Sequence, residues 1–591
     1  MKITFKHEIK TTENIDSKKL LDIILLHRKI KDINGFIKPK SPLDMSIFDF
    51  DKKYKANFKK VIKILSDIKK NKKMIVVYTD YDADGITGGA ILWETLHLLG
   101  FSVMPYVPDR KIEGYGFSIY GIDKVKKQFD PALIISVDHG ITKIKEISYA
   151  KSLGIKTIVT DHHLKGEKIP SDAEAIFHIP ALSGSGVSYF FSKEVYMSFR
   201  GSETTEKSSE RKSRSAGFLT SLEMTKLAHN FEIDYLALAT IGIIADLVPL
   251  TGPSRSVVKH GLSVFPKIKR HGIKQLLKQA GIEDKVITPY EVGFMIAPRI
   301  NAIGRLSHAI EALRLLCTND EKRAYELSQK IGSVNIDRQE LVEKSVKEAK
   351  KIINEKWPDL KKLPKIIILE SNHWHEGIIG LIASKLVEEF YRPTIILTKN
   401  GVNYKASARS IIGFNITDFL KSLKEHLVDV GGHAAAAGFS IEQSKYDNFV
   451  KAATKLADKL IKNKDLEKTI VADLKIPVSK INLELIKSLE TFEPYGIGNP
   501  RPVFLSEVQL SGASYLGKTQ KHLKLYVTDS NQPATADNRS LELIAFNMGD
   551  KFKELSRGTK TQVIYTLEID RWGGREKLKG KITWISDKFI S

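Results

Sequence analysis

At 591 residues the chain is too long for one hydrophobic core, so three or more domains are expected. Its 42% hydrophobic and 28% charged residues are ordinary for globular protein, and a lone cysteine, Cys317, excludes disulfides and thiolate zinc sites within the chain. A formal net charge of +23 favours a polyanionic partner, phosphate backbones above all, although a lysine-rich background would give a similar surplus.

The opening MKITFKHEIKTTENID lacks the apolar core of a signal peptide, and no later stretch approaches the roughly 20 apolar residues of a membrane span. No membrane role and a cytoplasmic location are therefore expected. Residues 1–70 read as a helical, basic leading segment rather than a domain. From residue 74 the pattern turns to strand and helix in alternation. Strand-like runs lie in MIVVYTDYDADG (74–85), at 103–107, in ALIISVDHG (132–140) and in IKTIVTDHH (155–163). Helix-like segments at 87–99, 117–128 and 142–153 separate them, which predicts a doubly wound parallel-sheet α/β domain. The polar, low-complexity GSETTEKSSERKSRSA (201–216) reads as a mobile surface insertion. LALATIGIIADLVPL (236–250) reads as a fourth, more distant strand-like run ending in an aspartate. Residues 253–318 look mostly helical, and Glu, Lys and Ala dominate a long, exposed helix over 320–357.

A second, smaller α/β unit starts at PKIIILE (364–370). It continues through a helix at 377–390, PTIILTK (393–399) and the Gly-rich GGHAAAAGFS (431–440). From about residue 500 the texture changes to short alternating strands, HLKLYVTD, LELIAFN, QVIYTLEID and KGKITWIS, which suits a small Greek-key barrel. The expected division is 1–70 leading segment, 71–318 first α/β domain, 319–360 linking helix, 361–460 second α/β domain, and 461–591 barrel with its lead-in.

Aspartates end the strand-like runs, and open parallel sheets bind ligands just beyond the carboxyl ends of their strands. Asp80, Asp82, Asp84, Asp138, Asp161, His162, His163 and Asp246 are thus expected at one rim. Spacing of two on an extended turn would point Asp80, Asp82 and Asp84 to one side. One D-x-D-x-D could equally be a calcium loop or a solvated turn. So many carboxylates, however, cannot crowd together ionised without cations between them. Oxygen and imidazole donors suit Mn²⁺ or Mg²⁺, and two such ions close together make a site for phosphodiester hydrolysis.

DYDADG, VDHG, DHH and ADLVPL, in that order, resemble the DHH phosphoesterase superfamily. PRINAIGR (298–305), WHEGIIG (374–380), KASARS (405–410), GGHAAAAGF (431–439) and EPYGIGNPRPVF (493–504) are similar to its RecJ branch, the single-strand-specific 5′ exonucleases. The resemblance covers about residues 70–590. It implies a DHH domain, a DHHA1 domain and an OB fold, with two divalent cations, Mn²⁺ or Mg²⁺. It assigns Asp82, Asp84, Asp138, His162 and Asp246 as metal ligands, Asp138 bridging, with Asp80, Asp161 and His163 orienting them. It also assigns Arg110, Ser407 and Arg409 to a 5′-phosphate pocket and Arg299, Asn301 and Arg305 to the substrate track. Gly432 would allow close backbone approach to a nucleotide. His433 would hydrogen-bond the scissile phosphate, and His375 would line the site, with Trp374 as wall or packing corner.

Two positions depart from the family pattern. Tyr78 stands where the family usually has His, and a phenol is a poor ligand at neutral pH. His139 follows the second motif where Asn is more usual, and either packs or replaces the missing nitrogen. The implied activity is hydrolysis of single-stranded DNA, 5′ to 3′, in repair and recombination, by a monomer whose candidate protein partners are a single-strand-binding protein or a helicase. Two other readings stand beside it: a DHH hydrolase of short oligonucleotides or cyclic dinucleotides, and an inactive replication scaffold.

Overall fold

The protein is described by a computed structural model covering residues 2–10, 12–110, 112–114, 116–206, 221–530, 540–571 and 574–586. Two compact units emerge, the larger formed by Ile3–Ala297, Leu316–Glu321 and Ile470–Ser591, the smaller mainly by Pro298–Leu315 and Lys322–Thr469. No described helix is long and apolar enough to cross a membrane.

The larger unit opens with β1 (Lys2–Glu8). Its α/β portion carries β2 (Ile75–Thr79), β3 (Val103–Tyr106), β4 (Leu133–Val137), β5 (Lys156–Asp161) and β6 (Ala175–His178). These form an all-parallel sheet in the order β3-β2-β4-β5-β6. β2 and β4 are buried at every position, which is why each is an unbroken apolar run rather than an alternating one. Strand order reverses between β2 and β4, so the crevice beyond their carboxyl ends is the topological switch point.

One expected strand is a helix. Residues Asp234–Ala245 are helical, and Tyr235 through Ile244 are all buried. This helix packs between the helices Ala83–Leu98 and Gly184–Glu206. An element apolar on every side shows no helical period, so its run of Leu, Ala and Ile reads like a buried strand. Of the expected insertion at 201–216, residues 201–206 continue the helix from Gly184, and 207–216 lie outside the described residues.

In the smaller unit β7 (Ile367–Glu370), β8 (Thr394–Asn400), β9 (Asn403–Arg409), β10 (Asp429–His433) and β11 (Ala436–Glu442) form a mixed sheet in the order β10-β11-β9-β8-β7. Only β7 and β8 run parallel. The long helix Glu321–Lys356 leads from the larger unit into this one, where its Ala349 and Ile353 pack with Trp374, Ile379 and Leu386. PRINAIGR falls in the helix Ala297–Leu306.

The C-terminal part of the larger unit contributes β12 (Thr469–Lys475), β13 (Val503–Leu516), β14 (His522–Asp529), β15 (Leu541–Ala545), β16 (Lys560–Asp570) and β17 (Lys577–Ile585). Pairing of β13 with β16 closes β13-β14-β15-β17-β16 into a five-stranded barrel, and β12 and β1 extend the sheet beside it. The leading segment is therefore not merely helical. β1 joins the barrel sheet, and Leu20, Ile24 and Phe36 share a core with Leu485, Phe492 and Val508. The fully buried Arg255 fastens the same region. Its guanidinium lies 3.8 Å from the Phe36 ring centroid and donates to the carbonyls of Phe36 and Glu493.

Candidate metal centre

Asp80 follows β2 and Asp138 follows β4, on either side of the switch point. Asp138 has φ +69°, a left-handed conformation rare for a residue other than glycine and of the kind that collects at functional sites. Asp82 is the N-cap of the helix Ala83–Leu98, and one of its oxygens accepts from the Asp84 and Gly85 amides at 3.0 Å. Asp84 lies in the first turn of that helix, not on an extended segment, so the spacing-of-two argument does not describe it. It faces the centre because three donors hold it: Ser183 Oγ at 2.7 Å, Gly184 N at 2.6 Å and Ser185 N at 3.0 Å. Asp246 caps the carboxyl end of the buried helix Asp234–Ala245.

The side chains converge on His162. Its Nε2 is 3.1 Å from Asp138 Oδ1, 3.4 Å from Asp246 Oδ2 and 4.0 Å from Asp84 Oδ2, yet it makes no hydrogen bond among the described residues. Three sets of ligand atoms each lie within 4.8 Å of one another: Asp138 with His162 and His163, Asp84 with His162 and Asp246, and Asp80 with Asp82 and Asp138. Asp138 and His162 each belong to two sets. Asp161 belongs to none, because its oxygens are spent on the amides of His162, His163 and Ile141 and on His163 Nδ1 at 2.8 Å.

Electrostatics fit a cation centre. Burial, then the charge of Asp82, raises the Asp80 pKa well above the carboxylate range. Burial, then Asp84 and Asp82, does the same to Asp138 and lifts Asp246 to about 8. Burial lowers His162 and keeps its imidazole neutral, as a metal ligand must be. His163 differs. Burial opposes its charge, but the hydrogen bond to Asp161 prevails and raises its pKa to about 9. A buried, unpaired imidazole nitrogen facing carboxylates that repel one another matches the donor chemistry of Mn²⁺ or Mg²⁺.

Tyr78 and His139 lie elsewhere. Tyr78 is fully buried, with its ring centroid 4.8 Å from those of Tyr106 and Phe117 and 5.3 Å from that of His139. His139 is buried beside it and burial pushes its pKa down to about 3. Neither belongs to a candidate ligand set. The Tyr78 hydroxyl lies 3.4 Å from the Gly116 carbonyl, and a Cβ on Gly116 would touch His139. The pair therefore packs under the loop after β3. That loop carries Arg110, whose guanidinium sits 5.2 Å from the Tyr81 ring centroid.

In the smaller unit, Ser407 and Arg409 lie two residues apart on β9, with Arg409 Nη1 donating to Ser407 Oγ at 3.0 Å. A Cβ on Gly380 would come within 2.8 Å of Arg409 Nη2 and 2.9 Å of Ser407 Oγ. With glycine there, the start of the helix Ile379–Phe390 approaches both side chains without displacing either. Arginine, hydroxyl and helix N-terminus together suit an anion. Arg305 Nη1 donates to the Gly377 carbonyl at 3.1 Å, and His375 Nδ1 accepts from the Gly377 amide at 3.0 Å, which leaves the neutral ring's proton on Nε2. Trp374 is a packing corner, buried and donating to Glu348 at 3.1 Å. Arg299 and Asn301 are half-buried on the helix Ala297–Leu306, and burial lowers the Arg299 pKa. His433 is exposed at the end of β10, and Thr417 donates to its carbonyl. Gly432 has φ +147°, and a Cβ there would fall 2.3 Å from the Ala436 carbonyl, so the β10–β11 hairpin itself requires glycine.

Sequence reading overlooked Ser183, Gly184, Ser185 and Gly380. A Cβ on Gly184 would collide with Asp138, so the S-G-S run before a helix was the available signal. Three family models match the chain: the DHH family N-terminal domain over residues 74–217, the DHHA1 domain over 363–459 and the RecJ OB domain over 472–583. Together they describe the architecture of a DHH-superfamily phosphoesterase. The single-stranded-DNA-specific exonuclease RecJ of Thermus thermophilus is 30% identical over 519 residues, 86% of this chain and 68% of the relative. That of Bacillus subtilis is 32% identical over 535 residues, and the match spans 63% of its length. A crystal structure of Thermus thermophilus RecJ in complex with Mn²⁺ shares the fold, with TM-score 0.75 and 24% identity over 99% of this chain and 80% of that one. A structure of exonuclease RecJ bound to manganese aligns at TM-score 0.53 and 29% identity, over 68% of this chain and 96% of that one. The chain belongs to the RecJ family.

Proposed function

We propose that the protein is a metal-dependent exonuclease that hydrolyses single-stranded DNA from the 5′ end, in DNA repair and recombination. The observation that carries this reading is the convergence of Asp84, Asp138 and Asp246 on the unpaired His162 Nε2 at the switch point of the sheet. Asp82, Asp84, Asp138, His162 and Asp246 would hold two Mn²⁺ or Mg²⁺ ions, and Asp80 and His163 have atoms close enough to take part. Such ions supply Lewis acidity for activating water and neutralise charge on the cleaved phosphodiester.

The chain's own residues do the rest. Ser183, Gly184 and Ser185 fix the Asp84 carboxylate, and Asp161 fixes the His163 ring. Ser407 and Arg409 would grip a terminal 5′-phosphate with the helix start at Gly380, and the resemblance gives Arg110 a phosphate-binding role as well. Arg299, Asn301, Arg305, His375 and His433 would bind phosphates of the strand. The barrel and the net charge of +23 favour a long polyanion over a dinucleotide. A cytoplasmic monomer working beside a single-strand-binding protein or a helicase fits the same reading.

Digestion of 5′- and 3′-labelled single strands with Mn²⁺, Mg²⁺ or EDTA tests it. Metal-dependent release of mononucleotides from the 5′ end, with duplex spared, is expected. Cleavage restricted to dinucleotides, or strand loss unaffected by EDTA, would overturn it.

A further inference from the structure

Two exposed leucines stand next in sequence to the candidate metal ligands. Leu164 follows His163 and is 71% exposed; Leu247 follows Asp246 and is 65% exposed. The 3.4 Å approach of His162 Nε2 to Asp246 Oδ2 brings these two chain segments together at the centre. Leu247 is also strained, with φ +58°. It occupies the turn that ends the helix Asp234–Ala245, where its own amide donates to the Ile244 carbonyl and the Val248 amide donates to the Ile243 carbonyl. Glycine is the usual residue at such a position, because a Cβ in the left-handed region crowds the backbone.

Leucine is thus the poorer choice for the turn on both counts. It takes the steric penalty of positive φ, and its exposed side chain gains little burial in return. The conformation that places Asp246 does not need it, since glycine adopts the same φ freely. What leucine adds over glycine is an apolar side chain beside the centre. Local conflicts with the fold concentrate where function imposes them. Without bound metal the carboxylates here repel a phosphate backbone, so in EDTA any grip at this spot must come from something other than charge. Sugar and base offer apolar surface on every nucleotide, whatever the sequence.

We propose that Leu247, with Leu164 beside it, is an apolar contact for the base and sugar of the nucleotide whose phosphodiester lies at the carboxylate centre. The inference rests on the single-stranded-DNA reading above. Full-length Leu247→Gly and Leu247→Ala proteins test it, the first relieving the strain and the second keeping it. Binding is read by fluorescence anisotropy of a labelled single strand in EDTA, and stability by the thermal midpoint.

Both variants should bind roughly five- to tenfold more weakly, as loss of a few buried methylene contacts implies. KM should rise in step, with kcat little changed. The thermal midpoint of Leu247→Gly should equal or exceed that of the parent, whereas a leucine kept for packing would make it fall. Strands carrying one abasic residue, moved through the first positions from the 5′ end, supply the contact. At one position the abasic change should weaken the parent but not Leu247→Ala further. Parent-like binding by both variants, a lower midpoint for Leu247→Gly, or no coupling at any position overturns the proposal while leaving the exonuclease reading intact. A parent that neither binds nor degrades single strands overturns both.

Discussion

Replacing Asp138 with alanine removes one oxygen donor from two of the three candidate ligand sets at once. Ligand atoms within each set lie no more than 4.8 Å apart. Two carboxylates at that separation repel by about 3 kcal/mol at an effective dielectric near 20, if both are ionised. Asp84, Asp82, Asp246 and Asp80 all act on Asp138 in this sense. The stripped variant should therefore be no less stable than the stripped parent, and more stable by ~1–3 kcal/mol once proton uptake by the crowded carboxylates is allowed for. Metal reverses the order. An ion at 100 times its dissociation constant stabilises the folded parent by about 2.7 kcal/mol per site, so two sites give about 5 kcal/mol. Most of that should vanish in Asp138→Ala, because two of the candidate ligand sets lose a donor. Calorimetric titration of Mn²⁺ into EDTA-stripped protein, with thermal unfolding in EDTA and in Mn²⁺, reads both quantities. Exonuclease activity should be lost while metal-free binding of single strands persists. Two Mn²⁺ ions bound at parent affinity by the variant would refute the assignment, whatever its activity.

Arg409→Ala should reduce cleavage of 5′-phosphorylated ends about 10- to 100-fold, the range expected for a charge-assisted hydrogen bond, and 5′-hydroxyl ends far less; equal loss on both ends would move Arg409 off the terminal phosphate. Tyr78→His should destabilise the protein by about 2 kcal/mol, since a filled aromatic cluster loses volume and gains a buried polar ring, while the Mn²⁺ concentration for half-maximal activity stays within about twofold. A sharply lower Mn²⁺ requirement would mean that position 78 reaches the ions. Deleting residues 500–591 should yield an aggregating or protease-sensitive protein, because Leu20, Ile24 and Phe36 lose the barrel half of their core; a monodisperse truncated protein with normal activity would show that the leading segment folds without it.

Of the sheet that builds the centre, β2, β4 and β5 were legible because each is short, largely buried and ended by an aspartate. Parallel strands covered on both faces must be apolar throughout, and their carboxyl ends are where polar groups can meet. That logic expects Asp80, Asp138, His162 and His163 at one rim, and their ligand atoms do cluster there. β1 was not legible. KITFKHE alternates weakly, and its partner β12 lies more than 460 residues away, so nothing local announces the pairing. Tyr78 departs from the family pattern at a position whose side chain belongs to the aromatic core beneath the loop after β3, which no local pattern announces.

Asp84 and Asp246 show where pattern reading stops. Both were assigned from a strand-based argument, and both reach the centre from helices, Asp84 from the first turn of one and Asp246 from the end of another. The resemblance to the family names both as ligands without depending on that argument. Their surroundings also differ in ways that no spacing could supply. Asp84 accepts from a hydroxyl and two amides at the start of the helix Gly184–Glu206, where the helix dipole also favours negative charge. Asp246 stands at a helix carboxyl end, which disfavours a carboxylate, and burial with the charges of Asp84 and Asp82 raises its pKa to about 8. A carboxylate placed against the dipole is costly unless a cation compensates it. That cost, like the strained Asp138 and Leu247 beside it, marks the rim of the sheet as a place where the fold gives up stability for chemistry.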